Sequence, residues 1–415
     1  MNLLRSASFL FIAATALAAN PSSWTEPVAP FKVVGNIHYV GTAELASFLI
    51  TTPSGHILLD APLEENVPHL LRSIETLGFK PSDIRVLINS HAHFDHLGAM
   101  KRIKEITGAK LAMSPADAEL AARGGTADFA FGDDYAYPAV KADRILADGD
   151  VVSLGGTSLT AILTPGHTRG GTTWLTDVVE DGRKLRVIFV NSMTAPGYDL
   201  VGNDAYPEIV DDYRSSFDRL ARLEADVLLG PHASFFGLRR KLAYTGEGNP
   251  FIDPGELAAF LQRIRALFER QLASQTATAE VERTLDAFHE AASRADGEAY
   301  FDLMTKDAVY IGTDATERWS LAEFRAFAEP YFAKGRGWTY VPTKREIVIG
   351  PAGATAWFHE LLENTSYGTT RGTGVLVRDG DQWKIAQYHL TIPVPNDLAK
   401  EVVEMIRAKH GEGSP

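Results

Sequence analysis

Between residues 91 and 96 the chain reads His91-Ala92-His93-Phe94-Asp95-His96, a run dense in side chains that can bind a metal. Imidazole and carboxylate suit zinc, and a catalytic zinc takes three protein ligands while leaving a position for water. This cluster cannot supply two such tripods, so a two-metal site needs further histidines downstream. Pro165-Gly166-His167-Thr168 and Gly230-Pro231-His232 each offer one, at the exit of a strand-like segment. Alone, either histidine reads more readily as structural; beside the cluster, both read as ligands. The chain has no cysteine, which removes thiolate as ligand or nucleophile. No Ser-His-Asp arrangement is visible to provide covalent catalysis.

These residues must be positioned by the elements around them. Ile84 to Asn89 reads as a short buried strand running into the cluster, preceded by strand-like segments at Lys32 to Val40 and Ser47 to Asp60 and a helical one at Glu64 to Leu77. Strands and helices alternate for about 250 residues, through a predicted helix over Glu208 to Leu223 and an amphipathic helix over Glu256 to Leu272, which is α/β or layered α+β architecture. Ser274 to Ala279 is small and polar without periodicity, so a linker is expected there. After it the order changes to helices (Val281 to Arg294, Tyr300 to Met304, Leu321 to Phe332) followed by long strands from Tyr340 to Thr391. The expected division is therefore 30–273, a linker at 274–279, a second α+β domain at 280–395 with a curved antiparallel sheet, and a C-terminal helix and tail at 396–415.

At 415 residues two cores are expected. The net charge of −13 argues against nucleic acid or an anionic membrane as partner. Arg5, the apolar run Ser8 to Leu17 and Ala16-Leu17-Ala18 read as a signal peptide over 1–18, which implies a periplasmic or secreted protein. The run is too short for a hydrocarbon layer of about 30 Å.

The order H-x-H-x-D-H, P-G-H-T, G-P-H resembles the metallo-β-lactamase superfamily. The resemblance implies an αββα sandwich, with His91, His93 and His167 holding one zinc and Asp95, His96 and His232 a second: two Zn2+ per chain. Some superfamily members bridge the metals with an aspartate after the strand that here is Val187 to Val190, but Asn191-Ser192 follows it. The subclass with a Cys ligand is excluded too. What remains resembles subclass B3 of the metallo-β-lactamases over residues 31–272, including Asp128-Phe129-Ala130-Phe131-Gly132-Asp133, Asn191 to Tyr198 and Asn249 to Pro254. That likeness implies hydrolysis of β-lactam antibiotics, and hence resistance to them. Two zinc ions about 3.5–4 Å apart activate water near neutral pH. Asp95 is the residue expected to orient that nucleophile. Ser192 and Thr194 would donate to the substrate carboxylate, or simply build the turn after Asn191. Phe129, Phe131, Tyr135 and Tyr137 would wall the pocket or pack their own loop, and Asp60 would support a zinc histidine or sit in a solvated turn. A lactone or thioester is the alternative substrate.

Residues 276–395 resemble the nuclear transport factor 2-like (SnoaL-like) superfamily, through Asp307 to Thr313 and Trp383 to Leu390. The resemblance implies a cone closed by a curved sheet, a fold that hosts both enzymes and dimerisation modules, so homo-oligomers through this domain are a possible partner state. Trp319, Trp338, Trp357, His359, Tyr388 and His389 could line the cone or form plain core, and no carboxylate stands out as a general base.

Overall fold

The computed structural model describes residues 20–410; the expected signal peptide lies outside them. The described residues divide into two compact units, one up to Phe268 and one from Glu269 onward. In the first, a seven-stranded sheet runs Phe31–Val34, Ile37–Tyr39, Phe48–Thr52, Gly55–Leu59, Ile84–Ile88, Lys110–Met113, Arg144–Ile145 in spatial order, antiparallel up to Gly55–Leu59 and parallel beyond. Its inner parallel strands end in apolar runs, Leu87-Ile88 and Leu111 to Met113, that are buried because both faces are covered there, while the edge strand Arg144–Ile145 is exposed. One face packs on helices through Leu49, Leu58, Leu87 and Leu111 against Leu70, Ile74, Met100 and Ile103. The other meets a five-stranded sheet of Val227–Leu229, Arg183–Phe189, Thr172–Glu180, Thr157–Leu163 and Val151–Leu154, with Phe48 and Phe189 ring to ring at 5.1 Å. The helix Ile209–Leu220 lies on that second sheet, Ser216 Oγ donating to Pro165 O at 2.7 Å. This is the expected sandwich of two sheets between helices.

At the parallel edge, Asp143 ties Arg144–Ile145 to its neighbour. Its carboxylate accepts from Lys104 Nζ at 2.7 Å, Leu111 N at 2.9 Å and Lys110 Nζ at 3.2 Å. Desolvation opposes these contacts, yet together they outweigh it and pull the carboxyl down to about 2. A depressed carboxyl contributes stability that is complete above its unfolded value and is lost as pH falls through the folded one. Asp143→Asn is therefore expected to lower the melting temperature of this unit by about 2–4 °C at pH 7 and by only a small fraction of that at pH 2. An equal shift at both pH values, by calorimetry, would contradict this.

The second unit has a six-stranded sheet in the order Arg318–Ser320, Met304–Ile311, Gln382–Thr391, Gly368–Asp379, Thr355–Asn364, Val341–Ile349. It is antiparallel except where Met304–Ile311 runs parallel to Gln382–Thr391, a departure from the all-antiparallel expectation. Val281, Leu285, Phe288, Tyr300, Phe324 and Tyr388 fill its core. Trp319, Trp338 and Tyr388 belong there as expected, but Trp357 and His359 do not: on Thr355–Asn364 the inward set is Ala356, Phe358, Glu360 and Leu362, and the period of two turns Trp357 and His359 outward. His389, half-buried, pairs with the outward Thr373.

Glu360 is the surprise of this core. Fully buried, it accepts from His289 Nε2 and Arg345 Nε, each at 2.8 Å, and from Tyr388 Oη at 3.0 Å. Its cross-strand neighbour is Gly372, where a Cβ would overlap the Tyr388 hydroxyl.

The expected linker is not a break. Ser274 to Ala279 lies inside one helix, Glu256–Ser293. Thr278 Oγ1 donates back to Ser274 O at 3.0 Å and Thr284 Oγ1 to Glu280 O at 3.1 Å, so the hydroxyls bond within the helix and not against it. Ala277 and Val281 are buried on its inner side. Among the described residues no helix is long and apolar enough to cross a membrane.

Candidate metal centre

Every metal-competent residue predicted above stands at the C-terminal end of a strand or just beyond. Ile84–Ile88 delivers His91 and His93, and the one-turn helix Phe94–Leu97 carries Asp95 and His96. Thr157–Leu163 leads to His167, and Val227–Leu229 leads to His232. Loop and second sheet are fastened together: the Trp174 indole N–H donates to Asn89 O at 2.9 Å, and Thr172 N to Ser90 O at 2.7 Å.

The side chains converge. His91, His93 and His167 form one compact group of ligand atoms, and His91, Asp95 and His96 another. His93 Nδ1 lies 3.2 Å from His167 Nε2, and His96 Nε2 lies 3.2 Å from His232 Nε2. Asp95 Oδ2 is 3.2 Å from His96 Nε2 and 3.6 Å from His232 Nε2. His91 Nε2 is buried with no hydrogen-bond partner. Burial, reinforced by neighbouring imidazoles, pushes His91 and His167 well below the ordinary histidine value, and burial also lowers His96. Burial alone would raise Asp95, but His96, His232 and His93 outweigh it and keep the carboxylate ionised. Neutral imidazoles and an ionised carboxylate, crowded without protons to share, are what a cation requires of its ligands. Zinc fits this donor set.

The ring nitrogens facing outward also have neighbours. Asp60 takes Ser90 N on Oδ1 and Ser90 Oγ on Oδ2, both at 2.7 Å. Ser90 Oγ lies 3.1 Å from His91 Nδ1, and Asp60 Oδ2 lies 3.7 Å from His96 Nδ1. Asp60 thus has the supporting position, held at φ +62°, a conformation uncommon outside glycine. His167 Nδ1 donates to Thr194 O at 2.7 Å. His232 Nδ1 is 3.6 Å from Glu44 Oε1, which also accepts from Ser234 Oγ at 2.5 Å.

Ser192 Oγ and Thr194 Oγ1 lie 3.1 Å apart on the turn whose carbonyl holds His167. Asn191 turns into the sheet, its amide donating to Thr164 O at 3.2 Å. Gly171 passes so close to that amide that a Cβ would overlap it. Of the four loop aromatics, Phe131 meets His93 edge-on at 5.2 Å, and Tyr135 stacks on Phe94 at 4.6 Å. Phe129 packs instead between Tyr198 and Tyr206, and the Tyr137 hydroxyl is spent on Ala92 O at 2.6 Å.

Sequence reading missed Trp24, 6.2 Å from the His232 ring, and Glu44; neither stands in a motif, and both reach the site only through the fold. A cavity of about 770 Å³ lies elsewhere in this unit, floored by Phe217, Leu220, Leu257 and Leu261. No residue of the histidine cluster lines it.

Comparison with known proteins agrees with this geometry. Residues 45–232 match the metallo-beta-lactamase superfamily and residues 281–395 the SnoaL-like domain. The crystal structure of a subclass B3 metallo-beta-lactamase of Bradyrhizobium japonicum is 42% identical, covers 62% of this chain and 99% of its own, and superposes with a TM-score of 0.60. A probable metallo-hydrolase of Burkholderia pseudomallei is 29% identical over 144 residues, 33% of this chain and only 48% of that relative. An acyl-coenzyme A thioesterase of Gallus gallus is 26% identical over 219 residues, 46% of this chain and 74% of the relative.

Proposed function

We propose that this chain, which belongs to the metallo-beta-lactamase superfamily and carries a SnoaL-like domain after it, is a zinc-dependent hydrolase that opens the β-lactam ring. The observation that carries this reading is Asn191-Ser192. Where some superfamily members place a bridging aspartate after this strand, neither of these residues is a carboxylate, and the Asn191 amide is engaged with Thr164 O. The likeness to the B3 enzyme over nearly that enzyme's whole length supports the same substrate class.

In this reading His91, His93 and His167 hold one ion and Asp95, His96 and His232 the other. Two zinc ions bound there would supply Lewis acidity and a water whose pKa lies near 7. Asp95 orients the attacking water by accepting its hydrogen bond. Ser192 Oγ and Thr194 Oγ1 donate to the substrate carboxylate, and Phe131 supplies an apolar wall. Water adds across the lactam bond: oxygen to the carbonyl carbon, a proton to the departing nitrogen. The C-terminal unit is a candidate pairing surface between chains.

Purified protein loaded with zinc is expected to hydrolyse a chromogenic cephalosporin and a carbapenem, to stop in chelator, and to recover with added zinc. The thioesterase relative motivates the second reading. No β-lactam turnover, together with zinc-dependent cleavage of an acyl thioester or a lactone, would replace the first reading with it.

A further inference from the structure

A histidine that binds a metal through one ring nitrogen carries its proton on the other, and in a buried site that N–H needs an acceptor. His91, His167, His96 and His232 present Nδ1 to Ser90, Thr194 O, Asp60 and Glu44. His93 is turned the opposite way. Its Nδ1 faces the cluster, 3.2 Å from His167 Nε2, and its Nε2 points outward, buried and without a hydrogen bond. The carboxylate facing Nε2 is Asp128, whose Oδ2 lies 3.6 Å away; both side chains are buried.

The other oxygen of Asp128 has a different task. Oδ1 accepts from Ala130 N at 2.8 Å and Phe131 N at 3.0 Å, while the Asp128 and Gly132 backbones exchange two hydrogen bonds. This turn places the Phe131 ring against His93. One carboxylate therefore builds the aromatic loop with one oxygen and faces a metal-competent histidine with the other.

We propose that Asp128 is a positioning residue that fixes the proton of His93 on Nε2, leaving the Nδ1 lone pair for the metal, and so ties the aromatic loop to that ligand. The inference rests on the metal-site reading above. Asp128→Asn separates the two tasks. Asparagine has one acceptor oxygen, which the Ala130 and Phe131 N–H groups retain, and its NH2 then points at His93 Nε2. A donor there favours the tautomer with the proton on Nδ1, the atom the metal must use.

The first readout needs no metal. In long-range 1H–15N spectra of zinc-free protein at pH 8, His93 is expected as the Nε2–H tautomer in the parent and as Nδ1–H in Asp128→Asn. The second is zinc bound per chain in graded chelator: one of the two sites should weaken by about 10–100-fold in the variant. An Nδ1–H tautomer in the parent, or equal zinc retention in both proteins, overturns the proposal. A parent that shows the Nε2–H tautomer but binds no zinc overturns the metal reading and leaves the tautomer assignment standing.

Discussion

Asp95→Ala is expected to lower kcat/KM for the β-lactam by a factor on the order of a thousand, the scale of losing a positioned proton acceptor at the reacting water. The effect is large because, on the proposed reading, two roles would converge on this one carboxylate, which lies beside His96 and His232: metal ligand and acceptor for the attacking water. Bound zinc should fall from two to one per chain. The fold should survive, since Asp95 sits in a one-turn helix where alanine is at ease and the zinc-free melting temperature should barely move. Asp95→Asn keeps the shape and removes the charge that the surrounding imidazoles hold in place, so it should lose most of the activity as well. Steady-state kinetics with metal analysis decide the matter. Activity within tenfold of the parent would remove Asp95 from the mechanism.

Glu360→Ala should be the most damaging single change in the C-terminal unit. Burial would raise this carboxyl, but the His289 contact, then Arg345, bring it below the usual range, so it is charged in the fold. Removing it leaves Arg345 Nε and the Tyr388 hydroxyl without their acceptor inside an apolar core. Breaking a buried pair from one side costs about 3–5 kcal/mol, a large share of what holds a domain of this size together. Because the carboxyl is depressed, its contribution is present above its unfolded value and lost as pH falls through the folded one. Denaturant titration should show the unfolding of this unit moving to lower concentration. An unchanged midpoint would mean that Arg345 escapes to Asp286 and water, and that the network contributes little.

The metal-competent residues were legible because the chemistry is concentrated: six side chains at three strand exits. The fold class followed from alternation of apolar runs, and the strand Ile84–Ile88 was expected nearly to its ends. Direction was not legible. Nothing in the spacing of His91 and His93 says that one presents Nε2 and the other Nδ1, since this depends on which neighbour meets the opposite nitrogen. Glu44 and Trp24 escaped because they reach His232 across about two hundred residues of sequence. The polar stretch Ser274 to Ala279 was misread because residues that often break helices can also bond back to the preceding turn. Trp357 and His359 were misplaced for want of the strand's phase, which puts a charged residue, Glu360, on the inward side.

That inward charge also settles how the strands pair. An alternating strand resists a slip of one residue, because every side chain would change face. A slip of two is harder to forbid: apolar residues would still point inward, with Phe358 or Leu362 opposite Arg345 in place of Glu360. The carboxylate tells these arrangements apart. Moved two positions, about 7 Å, it would leave His289 and Tyr388 behind and sit unpaired among rings. Gly372, with no room for a side chain, lies opposite Glu360 in the native registry. The glutamate thus acts as the key that selects one registry of a long hairpin from those its hydrophobic pattern would accept.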